Sequence, residues 1–330
     1  MNREPRTVHD FCPTASWDVL RHRAALLQRL RNFFNERGFL EVETPLLSAD
    51  TVVDRHLDPL AVTLCDNPRD PDRGRRLWLQ TSPEFCMKRL LAAGSGPIFQ
   101  VTRAFRAAEQ GALHNPEFTI VEWYRVGDDM RAGMQLLSQL SEALLGAAAA
   151  DAISYRDAFR QAVGLDPLAA TVEDLRRACR DHQVDVTDLG ADREAWLNVL
   201  LAARVEPTLG QQRPTIIYDY PADQSALARV REDDPPVAER FELYFRGIEL
   251  ANGYNELVDP AEFQRRCAGV NQQRAADGKP RLPERSRLLD AMQHGLPACT
   301  GVALGFDRLV MLATGAKSLA EVMAFPIERA

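Results

Sequence analysis

Hydrophobic and polar residues alternate from Phe118 to Tyr124, and this pattern predicts a β-strand with two different faces. The residues that share one face are Phe118, Ile120, Glu122 and Tyr124. An acid on a packed strand face is costly unless it has a partner. The pattern alone therefore favours a structural Glu122, paired with an arginine, over a functional carboxylate.

The chain before this strand begins with an expected loose arm, since residues 1–15 show no periodicity. Apolar residues then recur every three or four positions from Leu20 to Phe34, and Ser16 can cap this helix. A short alternating strand follows over 39–43. A long amphipathic helix that leads into a strand is common, so this segment indicates no function by itself.

The sequence Thr-Ser-Pro-Glu at 81–84 has the composition of a helix start. It offers a hydroxyl cap, a proline at the first helical position and an acid in the first turn. We expect an exposed loop over 66–76, a strand over 77–80 and a helix that runs to Gly94. Glu84 can simply complement the helix dipole, so the motif is weak alone.

A long hairpin and a helical insertion are predicted for the middle of the chain. A strand over 97–106 and a loop over 107–117 lead back into the strand at Phe118. From 128 to 235, helical patterns alternate with turns rich in Asp and Pro, without a chemical motif. The elements expected there are helices over 131–146 and 171–182 and a strand over 215–218.

Residues 240–250 predict a tight hairpin that turns at Phe245 and Arg246. In that register Glu242 and Glu249 lie directly opposite each other, about 4.5–5.5 Å apart, where like charges are destabilising. Two acids in this arrangement need a cation between them. A solvated face is the equally acceptable alternative from the pattern alone.

The last motif is a strand, a glycine break and a helix over 301–312, with Arg308 in the first turn of the helix. A cation at that end opposes the helix dipole, which favours anions there. A phosphate that Arg308 must reach explains its position better than helix stability does.

The composition describes an ordinary globular chain of 330 residues, 45% hydrophobic and 26% charged. A net charge of −7 argues against nucleic-acid binding through bulk electrostatics, and only three of the 40 basic residues are lysines. The six cysteines have no zinc spacing, and neither a signal peptide nor a membrane-spanning run is present. We therefore expect a cytoplasmic protein that does not enter membranes.

The chain contains three motifs in sequence order: the helix, strand and proline that end at Pro45, the hairpin with Phe105, Arg106, His114 and Phe118, and the strand, glycine and helix with Arg308. These motifs resemble those of class II aminoacyl-tRNA synthetases, and most of all the lysyl type. The strings that carry the resemblance are Leu40–Pro45, Lys88–Leu90, His114–Thr119, Asn252–Gly253 and Gly305–Leu309. The resemblance implies an α+β fold, in which helices flank an antiparallel sheet. It covers nearly the whole chain, so we expect a single catalytic domain over 1–330 with the helical insertion at about 128–235.

The first motif begins near residue 16, so we expect no anticodon-binding domain. This resembles the stand-alone family members that ligate a β-lysyl group to a lysine of translation elongation factor P. Lysyl-tRNA synthetases carry glycine where Ala303 stands. We hypothesise that the extra methyl group crowds the α-amino position and favours (R)-β-lysine over lysine.

The resemblance also implies a role for each site residue. The acyl substrate would be bound by Ser82, Pro83, Glu84, Glu122, Tyr124, Glu256 and Ala303, with Glu84 on the backbone-side amine and Glu122, Tyr124 and Glu256 around the side-chain ammonium. Arg106 and Arg308 would be catalytic, because they would neutralise the phosphates of ATP. The other ATP contacts would be Ala107, Ala108, Glu109, His114, Asn115, Phe118 (stacked on adenine), Glu249, Leu250 and Gly305, and Mg²⁺ would be held by Glu242 and Glu249.

Two departures from the family pattern concern the loop after Arg106. The family reads Arg-x-Glu there, and its Glu reads the adenine amino group, whereas here the acid comes one residue later, at Glu109. Either Glu109 takes that role or adenine selectivity is weaker. The basic residue often found just before His114 is replaced by Leu113, which removes one phosphate contact.

Three functions follow from the resemblance. The first is an ATP-dependent ligase that modifies elongation factor P and forms a homodimer through the first motif. The second, a compact synthetase that charges tRNA, is disfavoured by the acidic balance and the absent anticodon domain. The third is a non-enzymatic regulator that binds an amino acid, and it should have lost acids or arginines that are all present. No motif indicates where the acceptor docks.

Overall fold

The computed structural model describes residues 11–330, so residues 1–10 of the expected arm lie outside it. The strands are β1 (Leu40–Glu41), β2 (Leu47–Ser48), β3 (Ala61–Cys65), β4 (Gly74–Leu79), β5 (Ile98–Phe105), β6 (Glu117–Val126), β7 (Asp151–Ser154), β8 (Thr215–Pro221), β9 (Val230–Arg231), β10 (Val237–Phe245), β11 (Ile248–Asn255) and β12 (Cys299–Gly305). The helices are α1 (Trp17–Asn35), α2 (Glu84–Ala92), α3 (Met130–Leu145), α4 (Tyr155–Val163), α5 (Val172–Asp181), α6 (Arg193–Leu200), α7 (Pro260–Ala276), α8 (Arg287–Gly295) and α9 (Phe306–Thr314).

The main sheet runs in the order β1-β5-β6-β12-β11-β10-β8-β7, and β9 pairs with β10. Its pairs are antiparallel except at the two ends, where β1 joins β5 and β7 joins β8 in parallel. A second, antiparallel sheet has the order β2-β4-β3. This architecture confirms the α+β fold and places β6 and β12, which carry predicted site residues, at the centre of the main sheet.

The alternation in β6 separates the core of the protein from its cavity. Val121 and Trp123 are buried with α1, α3 and α9. The ring of Phe34 in α1 lies 5.2 Å from Trp123 and stacks at 4.7 Å on Phe99. Because successive side chains of a strand point to opposite faces, this packing turns Glu122 and Tyr124 away from the apolar core.

The predicted helix starts were partly correct. The Ser16 side chain caps α1 by accepting a hydrogen bond from the amide of Val19, as expected. At 81–84, Pro83 is the cap residue of α2 rather than its first helical residue, but the Ser82 hydroxyl accepts a hydrogen bond from the amide of Glu84 at 3.0 Å. The same hydroxyl donates to a Glu122 carboxylate oxygen at 2.7 Å, so this serine also belongs to the cavity.

Two other boundaries differ from the expectation. The exposed loop is shorter than 66–76, because residues 74–76 already belong to β4, and the strand expected over 39–43 has only the two residues of β1. In the expected arm, the amides of Thr14 and Ala15 donate to backbone carbonyls at Ala324 and Met323. The described end of the arm is therefore held against the C-terminal segment.

The range 128–235 contributes to the main sheet as well as adding helices. It supplies β7 and β8, and α3 packs into the core below the sheet. The helices α4, α5 and α6 form a second apolar cluster around Tyr155, Leu175 and Leu197. None of the helices formed by residues 11–330 combines the length and the apolar composition that a membrane crossing needs.

The hairpin of β10 and β11 differs from the predicted register. It turns at Arg246 and Gly247, which both have positive φ angles, as a two-residue hairpin turn of type I′ requires. Glu249 pairs with Tyr244, and Glu242 pairs with Asn252. The prediction that Glu242 and Glu249 are directly opposed was therefore wrong.

A β-bulge at Leu250 explains the shift in register. Leu243 pairs with Ala251 and Tyr244 with Glu249, so Leu250 is an extra residue in β11. The bulge lets Glu249 face the same cavity as Asn252, although an unbroken alternation would put these two residues on opposite faces. Glu249 thus reaches the cavity through an irregularity that the sequence does not reveal, whereas Glu242 lies in the regular part of the hairpin, where it pairs with Asn252.

Candidate active site

A cavity of about 490 Å³ lies on the face of the sheet opposite the main core. A row of directly paired residues crosses the sheet beneath it, in the order Gln100, Glu122, Ala303, Asn252 and Glu242. Most predicted site residues line this cavity, namely Ser82, Glu84, Arg106, Glu109, His114, Asn115, Phe118, Glu122, Tyr124, Glu242, Glu249, Leu250, Glu256, Ala303, Gly305 and Arg308. Pro83, Ala107 and Ala108 are not among the lining residues.

Glu122 lies at the acidic end of the cavity and is tied to two hydroxyl groups. Its Oε1 accepts a hydrogen bond from Tyr124 Oη at 2.6 Å, and its Oε2 accepts one from Ser82 Oγ at 2.7 Å. Burial, together with the charge of nearby Glu84, raises the pKa of Glu122 to about 7. The expected pairing with a structural arginine is not observed, and Glu122 remains available to a cation in the cavity.

Sequence reasoning missed Lys88, although it lies in one of the strings that carry the family resemblance. This side chain is only 2% exposed, and its Nζ lies 2.6 Å from Glu84 Oε1 and 2.5 Å from Glu256 Oε2. Burial alone would lower the pKa of Lys88, but the charges of Glu256 and Glu84 outweigh it and raise this pKa well above its ordinary value. The acidic end of the cavity therefore contains a permanent cation.

Gly301 allows two site residues to approach the backbone of β12. A Cβ atom at this position would lie 2.2 Å from Glu256 Oε1 and 2.3 Å from Tyr124 Cε1. Both distances are far below van der Waals contact, so only glycine fits here. Because Gly301 has no side chain, Glu256 and Tyr124 can pack directly against β12.

Arg308 fixes the opposite end of the cavity from the first turn of α9. Its Nη1 donates to the backbone oxygen of Glu249 at 3.0 Å, and its Nη2 lies 2.8 Å from His114 Nε2. Burial and the positive charge of Arg308 lower the pKa of His114, which favours a neutral imidazole that accepts this hydrogen bond. The two groups that hold the guanidinium, a backbone oxygen and a neutral imidazole, carry no negative charge. The nearest acid is Glu249, whose Oε2 lies 3.6 Å away.

Arg106 lies over the face of the Phe118 ring, with 4.9 Å between the guanidinium carbon and the ring centroid. Its Nε is buried and has no hydrogen-bond partner within residues 11–330. Its Nη1 lies 3.8 Å from Glu109 Oε2, and the Glu109 side chain lines the cavity beside it. A buried donor without a partner is costly, so Arg106 is suited to receive an anion.

The loop after Arg106 is held mainly through backbone groups. The amide of Ala107 donates to the backbone oxygen of Asp58 at 2.7 Å, and Ala108 has a φ of 62°. The side chain of Asn115 bonds the backbone of Glu117 and of Ile327. Asn115 thus ties this loop to the C-terminal segment.

The two candidate metal ligands differ in how many hydrogen bonds their carboxylates already accept. Glu242 accepts hydrogen bonds from Tyr220, Tyr244 and Arg240, with 2.6 Å to Tyr244 Oη. These three donors, which sequence reasoning missed, leave about one of the four acceptor positions of the carboxylate free. Burial and the charge of Glu242 raise the pKa of Glu249, whose carboxylate faces the cavity.

This donor set fits a hard cation that takes most of its ligands from elsewhere. No cluster of three or more His, Cys, Asp or Glu side chains within residues 11–330 could hold a metal by itself. Mg²⁺ usually takes one or two carboxylates and completes its shell with substrate phosphates and water. Glu249 and the remaining position of Glu242 match that requirement.

The geometry can bind a cationic acyl substrate at one end and a polyphosphate at the other. The chain is also similar to known proteins over nearly its whole length. An elongation factor P--(R)-beta-lysine ligase from Salmonella arizonae is 47% identical over 319 residues, which cover 96% of this chain and 98% of the relative. The protein of the same name from Salmonella paratyphi B is 48% identical with the same coverage.

The family described as tRNA synthetases class II (D, K and N) matches residues 6–329. This match spans the sheet, the cavity and all three motifs. The chain therefore belongs to the class II tRNA synthetases of the D, K and N group.

Proposed function

We propose that this protein is an ATP-dependent ligase that activates (R)-β-lysine, or lysine, as an adenylate and transfers it to a lysine of translation elongation factor P. The observation that carries the proposal is the division of one cavity into an acidic end and an arginine end. Glu84, Glu122 and Glu256 suit the two ammonium groups of the acyl substrate, while Arg106 and Arg308 suit phosphates. The names and the coverage of both relatives support the same activity.

The acyl substrate would lie along β6 and β12. Glu84 would bind the amine near the reacting carboxylate, and Glu122 and Glu256 would bind the distant ammonium. A pocket of buried carboxylates rejects a neutral side chain, because such a substrate would leave its charges unpaired. Ala303, which lies between Glu122 and Asn252 in the sheet, would direct the nearer amine to the β position.

ATP would occupy the arginine end. Phe118 would stack on adenine, and Arg106, which lies over that ring, would turn its partnerless Nε toward the α-phosphate. Arg308, supported by His114, would neutralise the outer phosphates. Glu249 and Glu242 would hold Mg²⁺, which when bound supplies further neutralisation of phosphate charge.

The chemistry requires positioning and charge neutralisation more than a protein nucleophile. The carboxylate of the acyl substrate attacks the α-phosphorus of ATP, the bond to the bridging oxygen breaks, and pyrophosphate leaves. The neutral amine of the acceptor lysine then attacks the acyl carbon, the bond to the AMP oxygen breaks, and the amine proton passes to solvent. The arginines would stabilise the charge that accumulates on the phosphates in the first step.

We further propose that the protein is a cytoplasmic homodimer that pairs through the segment of α1 and β1. Trp17 is 65% exposed and Leu40 is 57% exposed on this segment, so both offer apolar surface to a second copy. Six free cysteines within the described residues are consistent with a reducing compartment. Sedimentation of the wild type and of Trp17→Arg/Leu40→Arg tests the dimer, which the double variant should lose.

One experiment separates the ligase from a tRNA-charging enzyme. The protein is incubated with ATP, Mg²⁺ and (R)-β-lysine, then given elongation factor P or total tRNA, and the products are weighed by mass spectrometry. We expect one β-lysyl addition on a lysine of elongation factor P and negligible charging of tRNA. Charging of tRNA without modification of elongation factor P would refute the proposal.

A further inference from the structure

Lys88 is buried among the carboxylates that the proposed function assigns to the acyl substrate. Glu84 opens α2, Lys88 follows one turn later in the same helix, and Glu256 comes directly after β11. The Nζ atom bridges the two carboxylates at 2.6 Å and 2.5 Å and lies 6.0 Å from the centroid of the Tyr124 ring. None of the substrate roles described above includes this residue.

The burial of Lys88 distinguishes it from an ordinary ion pair on a helix. An exposed Glu-Lys pair one turn apart contributes little, because water and salt screen it. Lys88 and Glu256 are buried almost completely, so each strongly requires the charge of the other. Lys88 therefore keeps Glu84 and Glu256 in fixed positions on two different elements.

The charges at this end of the cavity can be counted from the groups that face it. Glu84, Glu122 and Glu256 supply three negative charges when ionised, and Lys88 supplies one positive charge. Burial raises the pKa values of Tyr124, Tyr254 and Cys267, which also line the cavity, so these groups are neutral near pH 7. Three charged residues of the lining have partners of their own: Asp54 accepts hydrogen bonds from backbone amides, Arg55 is paired with Asp192 and Asp277, and Arg266 is paired with Glu262. Arg240 is paired with Glu242. Burial raises the pKa of Glu122 to about 7 and that of Glu256 to about 8, and a bound ammonium group favours their ionised forms. With all three acids ionised, two negative charges remain for a substrate to match.

We propose that Lys88 is a positioning residue that sets substrate specificity: by pairing with Glu84 and Glu256 it leaves two unmatched negative charges, so that the pocket selects an acyl substrate with two ammonium groups. This inference rests on the proposed function. Glu84 retains acceptor capacity for the nearer amine, and Glu122, which Lys88 does not touch, retains its capacity for the distant ammonium.

Removal of the Lys88 charge should change selectivity rather than activity alone. Lys88→Met has nearly the same length, but it leaves Glu84 and Glu256 without their shared cation. One of the acids would then take up a proton, which leaves the number of unmatched charges the same, but Glu84 and Glu256 would no longer be held in place. The pocket would therefore no longer present its charges at fixed positions for both ammonium groups of the substrate. A general loss of packing would instead lower the rates with all substrates by a similar factor.

The test is ATP–pyrophosphate exchange with three substrates: (R)-β-lysine, 3-aminohexanoic acid, which lacks the distant ammonium, and 6-aminohexanoic acid, which lacks the nearer one. The readout is the ratio of kcat/KM for (R)-β-lysine to that for each analogue. Lys88→Met should lower this ratio by about tenfold or more, as expected for loss of a charge-assisted hydrogen-bond network. Lys317→Met, the same substitution at an exposed lysine, should keep the wild-type ratio.

The outcomes distinguish a failure of the role given to Lys88 from a failure of the proposed ligase activity. An unchanged ratio in Lys88→Met would overturn the inference and leave the ligase activity standing. Absence of exchange in the wild type with (R)-β-lysine would refute the proposed function, and the inference with it.

A second variant covers the case in which Lys88→Met does not fold, as judged by circular dichroism. Lys88→Ala lacks a group of the size and charge of propylammonium. Added propylammonium should restore the preference for (R)-β-lysine, whereas 1-propanol, of similar size but neutral, should not. Equal restoration by both additives would show that packing matters rather than charge, and would overturn the proposal.

Discussion

Ala303 is paired directly with Glu122 across β12 and β6, and with Asn252 on its other side. Directly paired residues share a face of the sheet, with their Cβ atoms about 4.5–5.5 Å apart. The methyl group of Ala303 therefore occupies space between two polar side chains of the cavity floor. A substrate that extends along this floor must place its nearer amine to avoid the methyl group.

Replacement of Ala303 by glycine should shift the preference from (R)-β-lysine toward lysine, because the α-amino position becomes free. One methyl group in a pocket changes selectivity by about tenfold or more. Pyrophosphate exchange with the two amino acids measures the shift as a ratio of kcat/KM values. Ala152→Gly in the outer strand β7 is the matched control, and an unchanged ratio in Ala303→Gly would contradict the role given to the methyl group.

The pKa of Glu122 predicts a pH dependence. Below its pKa of about 7 this carboxyl is protonated in the empty cavity and cannot pair with an ammonium. Burial also raises the pKa of Glu256, at the same end of the cavity, to about 8. The value of kcat/KM for (R)-β-lysine should therefore rise between pH 6 and pH 8, while Glu122→Gln should be slow and keep only the part of this rise that belongs to Glu256. A flat wild-type profile would exclude Glu122 as the titrating group.

The same raised pKa affects the stability of the empty protein. Folded Glu122 holds its proton up to about pH 7, whereas the unfolded carboxyl has its ordinary pKa of 4.5. The folded state thus binds more protons between these values, so the contribution of Glu122 to the free energy of unfolding falls as the pH rises from 4.5 to 7. Thermal unfolding of the wild type and of Glu122→Gln across this range should show that difference.

Glu109 should read the adenine base if it takes over the acid of the family pattern. Its side chain lies in the cavity beside Arg106. Glu109→Ala should then lower the preference for ATP over GTP in pyrophosphate exchange by about tenfold, since one hydrogen bond to the base is lost. Glu117→Ala, which removes a more exposed acid of the same hairpin, provides the control.

Gly301→Ala should damage both stability and binding. The new methyl group would collide with Glu256 and Tyr124, and overpacking of this kind costs about 1–3 kcal/mol. The KM for (R)-β-lysine should also rise, because Glu256 must move. Gly269→Ala in α7, where no atom lies within 4 Å of the added carbon, should leave KM unchanged. Calorimetric melting and exchange kinetics measure the two effects separately.

The two candidate metal ligands should respond differently to substitution. Glu249→Gln should raise the Mg²⁺ concentration for half-maximal exchange severalfold with little change in the melting temperature. Glu242→Gln should lower the melting temperature as well, because Arg240 would lose its buried partner at a cost of about 3 kcal/mol or more. A normal Mg²⁺ requirement in Glu249→Gln would remove this residue from the metal site.

Local patterns were sufficient to predict the elements that carry most of the site. The alternation around Glu122 gave the correct strand and the correct cavity face, and Arg308 lies in the first turn of α9 as expected. Both signals depend on residues close together in the chain. Such signals reflect the fixed periods of strands and helices, and tertiary contacts did not override them here.

The missed features depend on contacts between distant segments or on backbone irregularity. Nothing near Lys88 in the sequence indicates that Glu256 approaches it. The bulge at Leu250 replaces the simple hairpin register, and no turn residue marks it. Of the three donors to Glu242, only Tyr220 comes from another strand, β8, and its contact follows from the sheet order. Arg240 and Tyr244 lie two residues away on β10, where the strand period places them on the same face as Glu242.

The ion pairs of Lys88 also affect its reactivity. An amine attacks an activated acyl group only after it has lost its proton, and Glu84 and Glu256 keep Lys88 protonated far above neutral pH. Under the proposed function, the cavity would hold an acyl adenylate close to an amine of the protein itself. That amine is not a nucleophile in this environment, so the enzyme would be protected from acylating its own lysine while it waits for the acceptor.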